Sequence, residues 1–239
     1  MDKDQWAQHL AAVAAPALAG TPLDPASPPT SPDQVSRFID GFRDELGHRR
    51  AIDRPLLGRL LDRRVTPADC PSGAMGPVES PDQQLWWGLV TDASCRAFVE
   101  SLLDGQGPLI GEAEFARGAI EATTETELGA LHALPHFAGL AGFQASRIEA
   151  RALAAARWHV DTLQPDNGTN HPRAIHVFEA LTEADPAYAM PASLHAEGLL
   201  HNAIVRTGHP DRFSACLLLD AARSLAMPAT GEPAHDQKQ

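Results

Sequence analysis

The tetrapeptide Ser31-Pro32-Asp33-Gln34 constrains the fold more than any other stretch of the chain. It spells out a helix start: Ser as the cap, Pro at the first helical position where its missing N–H costs nothing, and Gln placed to complete a capping box. The same chemistry recurs as Ser80 to Gln83, with close relatives in Thr66-Pro67-Ala68-Asp69 and Thr124-Glu125-Thr126-Glu127. These are shared caps and not an internal repeat. After the first start, Val35, Phe38, Ile39, Phe42 and Leu46 keep helical spacing until Gly47. Similar spacing predicts helices near 4–19, 55–63, 81–104, 111–122, 125–140, 143–164, 173–184, 192–207 and 211–226, about nine in all, with a kink or break at Pro135. No stretch alternates with period two and β-branched residues are sparse, so no sheet is expected. The fold class is all-α, an array of αα-hairpins closing as a bundle, a solenoid or a toroid.

Domain organisation follows from the breakers. Residues 1–32 hold a short helix, with Trp6, Leu10 and Val13 on one face, and then a linker with five prolines between Thr21 and Pro32. Residues 33–226 form the main helical domain. Residues 227–239, rich in Pro, Gly, Gln and charge, are expected to be a disordered tail.

Charge narrows the partners. With 31 acidic and 19 basic residues the formal charge is −12, so the summed field repels phosphate backbones and anionic head groups. Neither nucleic acid nor a membrane is an expected partner. The one basic run, His48, Arg49, Arg50, Arg54, Arg59, Arg63 and Arg64, reads as a solvated helix face. Cys70, Cys95 and Cys216 are odd in number and widely spaced, which suits reduced thiols and a cytoplasmic setting. Asp2 and Asp4 around Lys3 argue against reading Leu10 to Ala19 as a secretory leader. Asn167-Gly168-Thr169 is then a turn and not a glycosylation acceptor.

Histidine is the anomaly. Eight of the eleven lie between residues 132 and 209, which directs the search for a site to the C-terminal half. His132 and His136 stand one helical turn apart and could share a metal, although Pro135 weakens that geometry and no H-E-x-x-H pattern adds a general base. His159 aligns with Ile148, Ala152 and Ala155, and His201 with Leu194, Ile204 and Val205, so both are expected to face inward. An inward imidazole needs a partner, and Asp220, on the face of Phe213 and Leu217, supplies one. His159, His201 and Asp220 are therefore the expected catalytic groups. Trp158, with Asp166, Asn167, Asn170 and His171 from the polar loop that follows, would orient a small polar substrate.

The G-x-S-x-G elbow, the phosphate-binding and dinucleotide-binding glycine loops and the EF-hand loop are all missing. The spacing names no metal and no cofactor. The expectation is an enzyme or enzyme-like protein performing acid-base or metal-assisted chemistry on a small molecule. The rival is a non-catalytic helical scaffold whose concave face binds a protein or peptide.

Overall fold

The computed structural model describes residues 1–63, 65, 80–90, 95–163 and 169–227. Among these residues there are eleven α-helices and no strand: α1 (Lys3–Leu18), α2 (Pro32–Gly41), α3 (Asp53–Leu60), α4 (Pro81–Gly88), α5 (Arg96–Leu103), α6 (Glu112–Arg117), α7 (Ile120–Ala133), α8 (Ala145–Thr162), α9 (Ile175–Ala184), α10 (Ala189–Ile204) and α11 (Arg212–Ala226). The 3₁₀ segment Leu134–Gly139 continues α7. No described helix is long and apolar enough to cross a membrane.

Helix α9 is the central element. Ile175, Val177, Phe178 and Leu181 are buried with His176 and Glu179, and the helix packs against α7, α8, α10 and α11. α1 lies along α11 and puts Trp6, Leu10, Ala14 and Leu18 into the same core. The segment 1–32 thus shares the core of the body, and Leu23, within the proline-rich stretch, is buried there too. Small side chains at Ala152, Ala155 and Ala156 of α8 and Ala192 and Ala196 of α10 let these helices approach closely.

The caps explain where the helices begin and where the sequence reading needs correction. Ser31 accepts the Gln34 N–H at 3.3 Å as expected, but the Gln34 side chain reaches back to the Thr30 N–H instead of closing the box on Ser31. A full capping box forms at Asp2 and Gln5. Ser80 begins α4 without capping it, since its hydroxyl donates to Asp82. Thr124 lies inside α7, which starts four residues earlier at Ile120. α2 ends at Gly41, because Asp44 folds the next residues into a turn by accepting the Leu46 and His48 N–H groups; Leu46 is consequently 69% exposed. The expected long helix over 81–104 is two helices, α4 and α5. Gly88 permits this: a Cβ there would collide with the Cys95 thiol. Thr66–Asp69, Cys70 and the tail beyond Met227 lie outside the described residues.

The basic run is mostly paired and not merely solvated. Arg50 donates to Asp44 at 2.9 Å and lies over the Phe213 ring at 4.1 Å, Arg54 bonds Asp40, and Arg59 bonds Asp220. Arg64 is outside the described residues.

Candidate functional site

Three elements bring the histidine cluster together. Helix α7 delivers His132 from its last turn, the 3₁₀ segment delivers His136, and α9 delivers His176 from its first turn. Pro135 does not separate the first two. The chain tightens from α to 3₁₀ at Leu134, and both imidazoles still reach the same carboxylate, Asp220, on α11.

Asp220 is almost wholly buried and uses both its oxygens. Oδ1 accepts Arg59 Nε–H at 3.1 Å, while Oδ2 lies 3.2 Å from His132 Nε2 and 2.7 Å from His136 Nε2. The His136 approach is short but off the direction of a hydrogen bond. Burial alone would push the Asp220 carboxyl up. The close contacts with the His136 and His132 rings outweigh it and hold the carboxyl well below its ordinary range. Trp86 covers the pair from one side, with its ring 5.7 Å from His132 and 5.6 Å from His136.

The tautomer of His132 is fixed by its neighbours. Ala174 precedes α9 in a left-handed conformation, φ 60°, and its N–H points at His132 Nδ1 at 3.0 Å. A backbone N–H can only donate, so Nδ1 is the bare nitrogen and the proton sits on Nε2, aimed at Asp220. Burial, first of all, lowers the His132 pKa, so the ring is held neutral. His132 thus relays between backbone and carboxylate.

His176 is different. It is 5% exposed, and neither ring nitrogen has a hydrogen-bond partner among the described residues. Its ring stacks on His136 at 5.8 Å and meets His132 edge-on at 4.7 Å. Burial, first of all, holds its pKa well below the ordinary histidine value, and the nearness of two further imidazoles, His132 and His136, adds to it because two protonated rings would repel. His136 and His176 lie at the base of a cleft of about 410 Å³ whose sides include Arg59, Lys3, Ile148, Val177 and Leu225. An unpaired buried imidazole is costly in a dry core. Where it lines a cleft, such a group can instead bond a molecule that enters.

His132, His136 and Asp220 are also the one group of described residues with metal-ligand spacing, their ligand atoms all within 4.8 Å of one another. The chain therefore carries, in its C-terminal half, a buried His/Asp cluster with the makings of a polar or a metal site.

The residues singled out from sequence are placed apart. Asp220 is buried as its spacing suggests, but His132 and His136 take the position beside it that was expected of His159 and His201. His159 is buried as well, 3.8 Å from Glu127 and packed by Phe115, Trp158 and Phe178. Glu127 is occupied in accepting the Leu109 and Ile110 N–H groups at 2.7 and 2.8 Å, so it clamps a turn. Trp158 is half-buried and donates to Glu112.

His201 is exposed, which corrects the inward expectation. Leu194 at 55% and Val205 at 58% are exposed on the same side, because α10 buries the stripe Ala192, His195, Ala196, Leu199 and Leu200 instead. His171 bonds the Ser214 hydroxyl at 3.1 Å, lies 3.4 Å from Arg50 Nη2 and meets Phe213, so it fastens the loop to the start of α11. Asn170 is exposed. Gln164, Asp166 and Asn167 lie outside the described residues. Sequence reasoning missed His176 altogether. Its signal was present, since it shares the buried face of α9 with Ile175, Phe178 and Glu179, but nothing in the spacing shows that both its nitrogens lack partners. Burial pushes the Cys95 thiol up to about 11 and raises that of Cys216, as suits inert core thiols.

No protein-family model, no curated protein and no solved structure matches the chain, so the functional reading rests on the cleft and the cluster beneath it.

Proposed function

We propose that the chain is an enzyme-like small-molecule-binding protein, with the cleft as its site and His136, oriented by Asp220, as its acid-base group. The observation that carries this reading is His176: a neutral, buried imidazole with both nitrogens unpartnered at the floor of a cleft, stacked against a second imidazole that touches a carboxylate. Asp220 is an ionised, fully engaged carboxylate that favours a proton on the His136 nitrogen facing it, leaving Nδ1 of His136 to accept or give a proton in the cleft. His176 then donates or accepts one hydrogen bond to a bound molecule. Arg59 and His132 are positioning residues, acting through Asp220.

The test is a thermal-shift screen of the whole chain against small organic acids, esters and amides. Compounds that stabilise the wild type are expected to lose their effect in His136→Gln and in His176→Phe, with helix content unchanged by circular dichroism. Hits equally effective on both variants would reject the cleft as the site.

The spacing of His132, His136 and Asp220 favours a second reading, a site for a divalent transition metal. The His132 tautomer weighs against it. A nitrogen that ligates a metal must be bare, and metal-bound histidines usually donate from the other nitrogen. Here that other nitrogen already accepts a backbone N–H, so ligation would require an imidazolate or the loss of the Ala174 bond. Elemental analysis of untagged protein discriminates: stoichiometric metal in the wild type that is absent from Asp220→Asn would establish the metal reading over the acid-base one.

A further inference from the structure

The cleft is two-natured. Ala138, Leu140, Ile148, Leu153, Val177 and Leu225 give it an apolar wall, whereas its charged side chains are Arg59, Lys3 and Glu149. Their environments differ. Glu149 is exposed, and water screens its charge. Arg59 is half-buried and donates only Nε to Asp220 among the described residues, so its terminal nitrogens are left for a ligand. Asp220 cannot serve as a counter-group for a cationic ligand, because Arg59, His132 and His136 already occupy its two oxygens.

The helix ends add smaller terms of both signs. α8 begins at the cleft with Ala145 and has no side-chain cap, a positive dipole end; the last turn of α11, with Ser224 and Leu225, is a negative one. Among the charged side chains of the cleft the cations therefore outweigh the anion.

We infer that the cleft takes a small monocarboxylic acid with an apolar body, its carboxylate held by Arg59 and Lys3 and its hydrocarbon laid along the Ile148, Leu153 and Val177 wall. This rests on the reading of the cleft as a small-molecule site and adds the class of molecule. A planar guanidinium with free terminal nitrogens suits a carboxylate in two-point contact, and the wall excludes the water that would otherwise weaken that contact. The arrangement also places the carboxylate end of the acid near His136 and His176, which would then act on the atoms close to the carboxyl group.

The probes are octanoate, its neutral isostere octanamide, and octylamine, titrated into the full chain carrying labelled alanine methyl groups. Octanoate is expected to shift the methyls of Ala138, Ala152 and Ala180, and to bind at least about tenfold more tightly than octanamide. Arg59→Gln should remove most of that preference. Because Arg59 also braces Asp220, Lys3→Met is the second variant, and it should narrow the preference without touching the cluster. If octanamide or octylamine binds at those methyls as tightly as octanoate, the carboxylate inference is overturned while the cleft stands as a small-molecule site. If none of the three probes shifts those methyls, the inference falls and the cleft reading falls with it.

Discussion

Asp220, almost wholly buried, is held by Arg59, His132 and His136. Replacing it by Asn leaves one acceptor oxygen and turns an NH2 toward either Arg59 or the His132 Nε2–H, and breaking a buried pair in this way costs on the order of 3 to 5 kcal/mol. Asp220→Asn is accordingly expected to lower the urea midpoint sharply, and a stability within about 1 kcal/mol of wild type would show that the cluster is not the buried anchor described above. Glu179 behaves in the opposite sense. Burial pushes its carboxyl up from 4.5 to about 7, so between those values the folded chain holds a proton that the unfolded chain has lost. Stability attributable to this group therefore falls as pH rises through that window. Glu179→Gln should stabilise the protein by roughly 1 to 3 kcal/mol at pH 8 and by almost nothing at pH 4; an equal effect at both pH values would contradict this.

At this scale the sequence was informative about which residues lie inside and silent about which of them meet. Asp220 and His159 are interior as their helical spacing predicts, but spacing carries no information about which helix faces which. Only the packing of α7 and the 3₁₀ segment against α11 selects His132 and His136 over His159 as the neighbours of Asp220.

Among the elements, α7 shows how a helix is held in register to present its histidine. Gly129 lies one turn before His132, and a Cβ there would run into Arg173 and Asp82, which pair across the α4–α7 contact at 3.4 Å while Arg173 also holds Glu125 at 2.8 Å. Gly129→Ala should cost roughly 1 to 3 kcal/mol despite the better helix propensity of alanine, because the crowding outweighs that gain. Stabilisation by this substitution, read from denaturant curves, would mean that α4 and α7 are not packed as described.

Helix boundaries were legible where a cap works through its own side chain, as at Ser31, and misleading at Thr124, where the same residue types lie within a helix. The orientation of α10 was not legible. Its apolar residues surround the axis, so periodicity could not choose between the Leu194 and Val205 side and the Ala192 and Leu199 side, and the smaller residues won because they allow α9 to come close.

For the whole molecule, the all-α class follows from caps and spacing alone. The location of the site does not, because the cleft draws its residues from α1, α3, the 3₁₀ segment, α8, α9 and α11, with up to 224 positions between Lys3 and Met227. The cluster also sets the acid limit of stability. The folded-state pKa values of His132 and His176 lie below the ordinary 6.5, so as pH falls below 6.5 the unfolded chain takes up protons that the folded chain refuses, and stability is lost. Both histidines should contribute to this loss, and His176→Phe should flatten the melting temperature between pH 7 and 5 relative to wild type. A variant with an unchanged slope would place the acid sensitivity elsewhere.

The proposed site is an Asp-oriented pair of imidazoles beside an unpartnered one and not a set of metal ligands. The ring-nitrogen NMR spectrum of the ¹⁵N-labelled chain, recorded at neutral pH with and without one equivalent of Zn²⁺, tests it most directly. The geometry predicts His132 as the Nε2–H tautomer and His176 as a neutral ring, both unmoved by zinc, because Nδ1 of His132 stays bonded to the Ala174 N–H. Zinc-induced loss of the His132 Nε2 proton, together with a matching shift at His136, would contradict the account and establish a metal centre in its place.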